Sequence, residues 1–345
     1  VTAAPFTLVR ARVAEVTRPA AAFLRVVFAG PELGRAGGVP DTGTGLTRHL
    51  DRRIKIIVPG PRGLPAIADD ADWYHAWLAE PAEERGFMRT YSIRELSGNG
   101  EHTRLTVDFV VHGGNAGHGG HAETGPALRW ALHARPGDEV LLVLPRRGVA
   151  RDEGVEFAPG AARSIVLVGD ETAAPAVARI LEDLAQRTRG AHSTPDGPAP
   201  RLTALLELPG PGTAPGIAHG PGAAVHWLPR RPGEAPGAQV LPALRALLRA
   251  DGAGHADGGE RDVVNRGCPT ELPETADGLP WAVPGAAAAD DAADDTADVE
   301  ATYWWVAGES GLVKSVRRLL VREAGVDRSR VAFMGYWRTG VAMRG

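Results

Sequence analysis

The chain has 345 residues, 43% of them apolar and 23% charged, which is long for one domain, comfortable for two, and globular in composition. A formal net charge of −4 leaves no basic footprint for nucleic acid or for an anionic membrane surface. The one cysteine, Cys268, excludes an internal disulfide, a cysteine-rich zinc site and a self-contained iron–sulfur cluster.

The opening residues carry arginines but no continuous apolar segment of the signal-peptide kind. Nowhere do about 18 apolar residues run together, so no membrane span is expected. The expected setting is cytoplasmic. From 6 to 18, 23 to 30, 52 to 59, 88 to 96, 104 to 112 and 138 to 148 the chain alternates apolar and polar residues between Gly, Pro and Asp turns. Short strands at that spacing predict a small antiparallel barrel. One helix is signalled inside it, with Thr124 as cap, Pro126 in the first turn and "ALRWALHA" following.

The rhythm changes near residue 160. "SIVLVGD" (164–170) is a continuous apolar run, as in a strand buried on both faces. Residues 171–187 then place Ala176, Val177, Ile180, Leu181 and Leu184 on one helical side. "RLTALLEL" and "AVHWLP" read as strands, "ALRALLRA" as a helix, "YWWVAGE" as a strand, 311–325 as a helix and "RVAFMGYW" as a last strand. Alternating strands and helices predict a parallel α/β sheet. The domains are therefore expected at 1–158 and 159–345. Residues 251–300, rich in Ala, Asp and Gly, hold too few large apolar groups to offset ordering entropy and are expected to be a disordered insertion.

Several stretches carry chemistry rather than packing. In "FMRTYSIREL" (87–96), Arg89 and Tyr91 share one strand face and Thr90 and Ser92 the other. A flavin ring wants an aromatic neighbour and a hydroxyl, and its pyrophosphate wants a guanidinium; an exposed amphipathic strand would look similar. In 107–131 a strand runs through a glycine-rich loop into a helix start at Gly125-Pro126-Ala127, whose backbone N–H groups form an anion site. His112 ends that strand. His118 and His121 lie in the loop, which offers only Glu123 as a further ligand, so a metal site is not expected. Gly169, Asp170, Glu171 and Thr172 end the first buried strand, at the place where doubly wound sheets bind nucleotides. The G-x-G-x-x-G fingerprint is absent, and Thr172 is the expected helix cap. "WVAGES" repeats that logic at Gly308 and Glu309, and "GYWRTG" places Tyr336 and Trp337 at a strand end. Glu207 could pair with a ribose hydroxyl and favour NADH, whereas Arg230 and Arg231 could hold a 2′-phosphate.

Taken in order, R-x-Y-[ST], V-D-F-V-x-H-G…G-P-A-x-x-W-A, P-R-x-G, G-D-E-T-A-x-P, W-V-A-G-E and G-Y-W-R-x-G resemble the siderophore-interacting protein family, over nearly the whole chain outside 251–300. The resemblance implies an antiparallel FAD-binding β-barrel followed by a parallel-sheet NAD(P)-binding domain on the ferredoxin–NADP reductase plan. It implies a cytoplasmic reductase that draws on NADPH or NADH, with a lean to NADPH, and releases iron(II) from a ferric siderophore. It places Arg89, Tyr91 and Ser92 on the flavin and its phosphate, and Asp108, Val111 and His112 along the FAD. Gly125, Pro126 and Ala127 would take the pyrophosphate, and Asp170, Glu171, Thr172 and Ala173 would lie near flavin or nicotinamide. Ala307, Gly308 and Glu309 would flank the nicotinamide side, and Lys55 would meet an anionic siderophore; from their own position at the strand end, Tyr336 and Trp337 could lie over the ring. No acid–base residue is required, and no residue need bind the metal. Two other classes stay open: a flavin reductase with a different acceptor, and a ferric-siderophore binding protein without turnover. The oligomeric state is not legible.

Overall fold

The computed structural model describes residues 4–37, 39–40, 47–69, 72–111, 125–149, 154–190, 200–252, 273–275, 278–284 and 302–341. The first half comprises β1 (Phe6–Ala20), β2 (Phe23–Ala29), a ribbon of β3 (Val39–Pro40) with β4 (Thr47–Arg48), β5 (Arg53–Val58), α1 (Trp73–Ala79), β6 (Phe87–Ser92), β7 (Glu95–Ser97), β8 (Arg104–Val110), α2 (Pro126–His133) and β9 (Glu139–Pro145). Seven of these strands form one sheet in the order β6-β5-β9-β1-β2-β8-β7, and every neighbouring pair is antiparallel.

That sheet closes because its two outermost strands are one stretch of chain. At the crossing, Ile93 N donates to Arg52 O (2.9 Å) beside β5, and Arg94 N donates to Thr106 O (3.0 Å) on β8. Register shifts in β1, between Val13 and Glu15 and between Thr17 and Ala20, supply the bending that closure demands. Alternation then decides which side chains enter: Ile54, Ile56 and Val58 of β5 face the barrel core with Val107 and Phe109. Helix α2 plugs one end, with Ala127, Leu128 and Ala131 buried and Trp130 stacked on Phe28 at 6.3 Å. Outside the barrel, α1 covers a second cluster in which Trp77 lies on Ile57 and Met88. Burying such a ring stabilises the fold by roughly 2–3 kcal/mol.

The second half comprises β10 (Ser164–Gly169), α3 (Ala174–Gly190), β11 (Arg201–Leu208), β12 (Ala223–Pro229), α4 (Val240–Gly252), β13 (Trp281–Ala282), β14 (Thr302–Glu309), α5 (Ser310–Arg317) and β15 (Val331–Trp337). Helix α5 continues as a wider π-type turn over Arg318–Glu323. The sheet order is β12-β11-β10-β14-β15-β13, parallel except for β13. Chain order reverses between β10 and β14, and a crevice forms there outside the carboxyl ends. α3 packs on one face against Leu167 and Trp305, whereas α4 and α5 pack on the other against Val168 and Val306. The architecture agrees with the expected antiparallel barrel followed by a parallel α/β sheet.

Two details differ from the sequence expectations, and a third expectation is untested. Helix α1 was not signalled, because Asp, Pro and Ala surround its aromatic run. Residues inside the stretch expected to be disordered pair with the sheet: Trp281 opposes Met334, and Ala282 opposes Phe333. Thr124, the expected cap of α2, lies outside the described residues. Among the described residues no helix is long and apolar enough to cross a membrane.

Candidate functional site

Strand β6 separates its side chains as a pleat requires. Tyr91 turns to the barrel core, its ring 4.4 Å from Phe109. Burial pushes its phenol well above the usual range, and the neighbouring Arg89 guanidinium opposes that shift. Arg89 also donates to Met88 O at 2.7 Å. On the opposite face Lys55 Nζ donates to Thr90 Oγ1 at 2.8 Å. Helix α2 packs against β5 and β6, and Gly125 caps its start without any side-chain partner. A Cβ on Gly125 would meet nothing within 4 Å, and from Ala127 on the first-turn N–H groups have no intrahelical partner, the arrangement that suits an anionic group.

Asp108 is buried and accepts from Arg25 Nε at 2.7 Å and Nη2 at 2.8 Å, with Arg94 3.8 Å away. Its carboxylate is therefore committed to a strand-to-strand pair, and at this position only the backbone remains to offer a ligand. Val111 donates its N–H to Ala22 O at 2.8 Å and packs on the barrel core. His112 and the loop with His118 and His121 lie outside the described residues.

On the other side, three parallel strand ends come together. Register pairs Gly169 with Ala307, and Gly308 with Gly335 and Glu309 with Trp337. Asp170 ties them: it accepts from Thr172 N (2.9 Å) and Oγ1 (2.6 Å), Glu309 N (2.7 Å) and Trp337 Nε1 (2.9 Å). Burial, with Glu171 beside it, pushes the Asp170 carboxyl up to about 6. Thr172 is thus not the cap expected from sequence. It donates to Asp170, which closes the turn before α3 in its place. Ala173 N donates to Asp170 O at 3.0 Å, and its methyl leaves no room for a side chain at Gly169, where a Cβ would lie 2.4 Å away. Gly308 has φ +139°, and a Cβ there would sit 2.7 Å from the Asp170 carboxyl. Glu309 caps α5 through Leu312 N at 3.0 Å and also accepts from Thr339 N at 3.1 Å.

Tyr336 stands where the two halves meet. It stacks with Trp281 at 6.4 Å and meets Trp305 edge-on at 6.4 Å. Its hydroxyl is buried without a hydrogen bond of ordinary geometry, although the Ser92 side chain is near enough to act on it. Burial holds the phenol far above its usual range. Ser92 and Tyr336 are therefore brought together from strands of different domains.

Ionic contacts missed in the sequence fix that junction. Arg94 pairs with Glu182 of α3 at 2.7 and 2.6 Å. Asp183 accepts from His49 N and Leu50 N, both at 2.8 Å. Asp51 accepts from Phe157 N at 3.1 Å and from Trp305 Nε1 at 2.8 Å, and burial raises its carboxyl to about 6. The available signal was the dense "RHLDRR" run ahead of a strand, too many charges for a simple solvent edge. Glu207 also differs from expectation. It is wholly buried and accepts from Gly237 N, Gln239 N and Val240 N at 2.8, 2.9 and 2.8 Å, so it caps α4 and cannot reach a ribose. Arg230 is spent between Glu171 at 3.0 Å and Glu207 at 3.2 Å, leaving Arg231 as the exposed member of the pair.

Comparison with known proteins follows the same division of the chain. The family model described as "Siderophore-interacting FAD-binding domain" matches residues 12–149, and the one described as "Siderophore-interacting protein" matches 162–340. The ferric vibriobactin reductase of Vibrio cholerae is 24% identical over 258 residues, 75% of this chain and 67% of that protein. The mycobactin import ATP-binding/permease protein of Mycolicibacterium smegmatis is 31% identical over 118 residues, 34% of this chain but only 12% of the transporter's length. Among solved structures, a siderophore utilization protein from T. fusca superimposes with a TM-score of 0.60 at 24% identity, covering 99% of this chain and 97% of the other.

Proposed function

Since this chain belongs to the siderophore-interacting protein family, we propose that it is an FAD-dependent reductase that draws on NAD(P)H and releases iron(II) from a ferric siderophore. Its place in that family and its likeness to a ferric-siderophore reductase put it in siderophore-iron handling. The observation that carries the enzymatic reading is the junction of Ser92 and Tyr336, where a buried hydroxyl has the Ser92 side chain beside it but no hydrogen bond of ordinary geometry, next to a strand bearing Arg89 and Tyr91. A bound flavin would satisfy that donor. The donor set suits FAD: backbone N–H groups at Gly125 and Ala127 for the diphosphate, with Pro126 fixing the helix start between them, Arg89 for its charge, and Tyr91, Ser92 and Tyr336 for the ring.

When bound, FAD would accept a two-electron hydride and deliver electrons one at a time to iron(III). The chain's own residues bind and position. Asp170 ties the ends of β10, β14 and β15 together, and Gly308, lacking a side chain, makes room for that carboxylate at the edge where a nicotinamide would lie. Ala173 and Ala307 are buried beneath that edge, and Trp337, which is half-buried, would border the nicotinamide. His112 and Val111 would border the FAD from the barrel side. Lys55 would orient an anionic chelate, and hard oxygen donors would release the softer iron(II).

The test mixes the FAD-loaded protein anaerobically with NADPH or NADH and follows the oxidised-flavin absorbance, then adds a ferric siderophore and a ferrous trap. Bleaching followed by trapped iron(II), at a rate matching flavin reoxidation, is the expected result. Flavin that never bleaches would reject the reading. Arg231→Ala is expected to raise the KM for NADPH about tenfold and leave that for NADH unchanged, the cost of one lost charge-assisted contact to phosphate.

A further inference from the structure

We propose that Trp281 is a positioning residue for the reductase reaction: gripped by Arg53 of the barrel, its indole ring sets the Tyr336 ring against Ser92. The proposal rests on the flavin reading above and adds to it a residue from the stretch between α4 and β14. Trp281 belongs to β13 and Tyr336 to β15, and their rings stack at 6.4 Å with 20° between the planes. The Arg53 guanidinium of β5 lies 4.3 Å over the Trp281 ring, and Glu156 pairs with the same guanidinium. Arg53 stands opposite Ser92 of β6 in the register, and Ser92 lies beside the Tyr336 hydroxyl. The contacts therefore close on themselves, with two members from each domain.

The backbone aims Tyr336 but does not fix its ring. Gly308 opposes Gly335 and Glu309 opposes Trp337, which leaves Tyr336 as an extra residue in β15. A bulge of this kind turns one side chain out of the regular pleat, and bulges recur beside active sites for that reason. A ring turned out of register needs support from its neighbours. Trp305 meets it edge-on at 6.4 Å and 83°, from the core of the sheet. Trp281 stacks along it, and the cation over the indole restrains Trp281 in turn.

The Trp281 ring is not what holds β13 in place. Trp281 N donates to Pro273 O at 2.7 Å, and Pro280 O accepts from Gly335 N at 2.7 Å. Ala282, opposite Phe333, is the buried member of the strand, whereas Trp281 is only half-buried. Backbone bonds thus pin the strand on both sides, and the ring contributes placement more than burial. Placement counts at a hydride-transfer site, where a shift of about 1 Å can slow the reaction by up to about a hundredfold.

The experiment compares Trp281→Leu, which keeps apolar bulk on β13 but removes the ring, with Trp281→Phe, which keeps a ring. FAD is titrated into the apo-protein and followed by flavin fluorescence. The first-order bleaching of the FAD-loaded protein is then measured anaerobically at saturating NADPH or NADH, and urea unfolding reports the stability of each variant. Trp281→Leu is expected to weaken FAD binding by about fivefold, the scale of one lost aromatic pair, and to slow bleaching by about tenfold. Trp281→Phe is expected to stay within about twofold of wild type in both. The two variants behaving alike, whether both match wild type or both are impaired, would overturn the proposal. So would a Trp281→Leu protein that is less stable yet binds FAD and bleaches as wild type does, since that would make Trp281 a packing residue alone. Wild-type protein that takes up no FAD, or whose bound FAD never bleaches, would instead reject the reductase reading and this proposal with it.

Discussion

Asp51 and Asp170 are carboxylates held where water cannot reach them, each with a folded-state value of about 6 against an ordinary 3.8. Burial is the main cause in both. Raised values mean that the folded protein binds these protons more tightly than the unfolded chain does. The stability they contribute is therefore full at acid pH and declines as pH rises through about 6. His49 works in the opposite sense: burial first, then Arg179 and Arg52, lower it to about 3, so its contribution is lost as pH falls. Comparing wild type with Asp51→Asn isolates one of these groups. The difference in unfolding free energy, measured by urea titration, is expected to change in favour of the variant between pH 4 and 6 by up to about 1.4 kcal/mol per pH unit. A difference that stays constant across that window would refute the assignment. Single residues such as these were hardly legible in the sequence, since nothing local distinguishes a buried aspartate from a solvated one in "HLDRR".

At the scale of elements, the reading succeeded where local pattern decides the outcome. β10 and β14 are continuous apolar runs because both faces are covered, and the π-type extension of α5 ends at Glu323, two residues ahead of Gly325. It failed where a residue's partners come from far away in the chain. Glu207 follows a strand as a ribose-binding acid would, yet it caps a helix that begins more than thirty residues later. Replacing it with Gln removes the charge from a site with three backbone donors and a guanidinium. The expected cost is about 2–4 kcal/mol in urea unfolding, the range for breaking a buried ion pair. The ratio of NADH to NADPH activity is expected to stay unchanged, and a switch in that ratio would return Glu207 to the nucleotide site. Helix α1 and β13 were illegible for a different reason. Both are short, and both hold their shape by packing large rings on neighbours rather than by intrinsic propensity.

For the whole molecule, the sequence divides the chain into two parts but says nothing about how firmly they are joined. The structure supplies a charged seam in which Arg94 stands between Asp108 of the barrel and Glu182 of α3. Glu182→Ala leaves that guanidinium with a more distant partner and unpicks the bond between domains. The variant is expected to lose about 2–3 kcal/mol and to unfold in two calorimetric steps instead of one. A single sharp transition at the wild-type temperature would mean that the seam is held by other contacts. The expected division at residue 158 falls just beyond Glu156 and Phe157, whose amides bind Asp51, so the boundary peptide is itself part of the joint.

The position of β13 has a practical consequence for anyone trimming this protein. Its residues come from the stretch between α4 and β14, the first that an engineer would remove to ease expression. Gly335 fits so closely beneath Pro280 that a Cβ there would lie 2.6 Å from the proline ring. Excising 253–272 would spare this clasp. Cutting through to 301 would strip the margin of β15, bare a row of backbone donors and acceptors, and wet the ring of Tyr336. Such a truncation would invite neighbouring molecules to zip together along the stripped border, and material lost to precipitate would be blamed on the wrong segment.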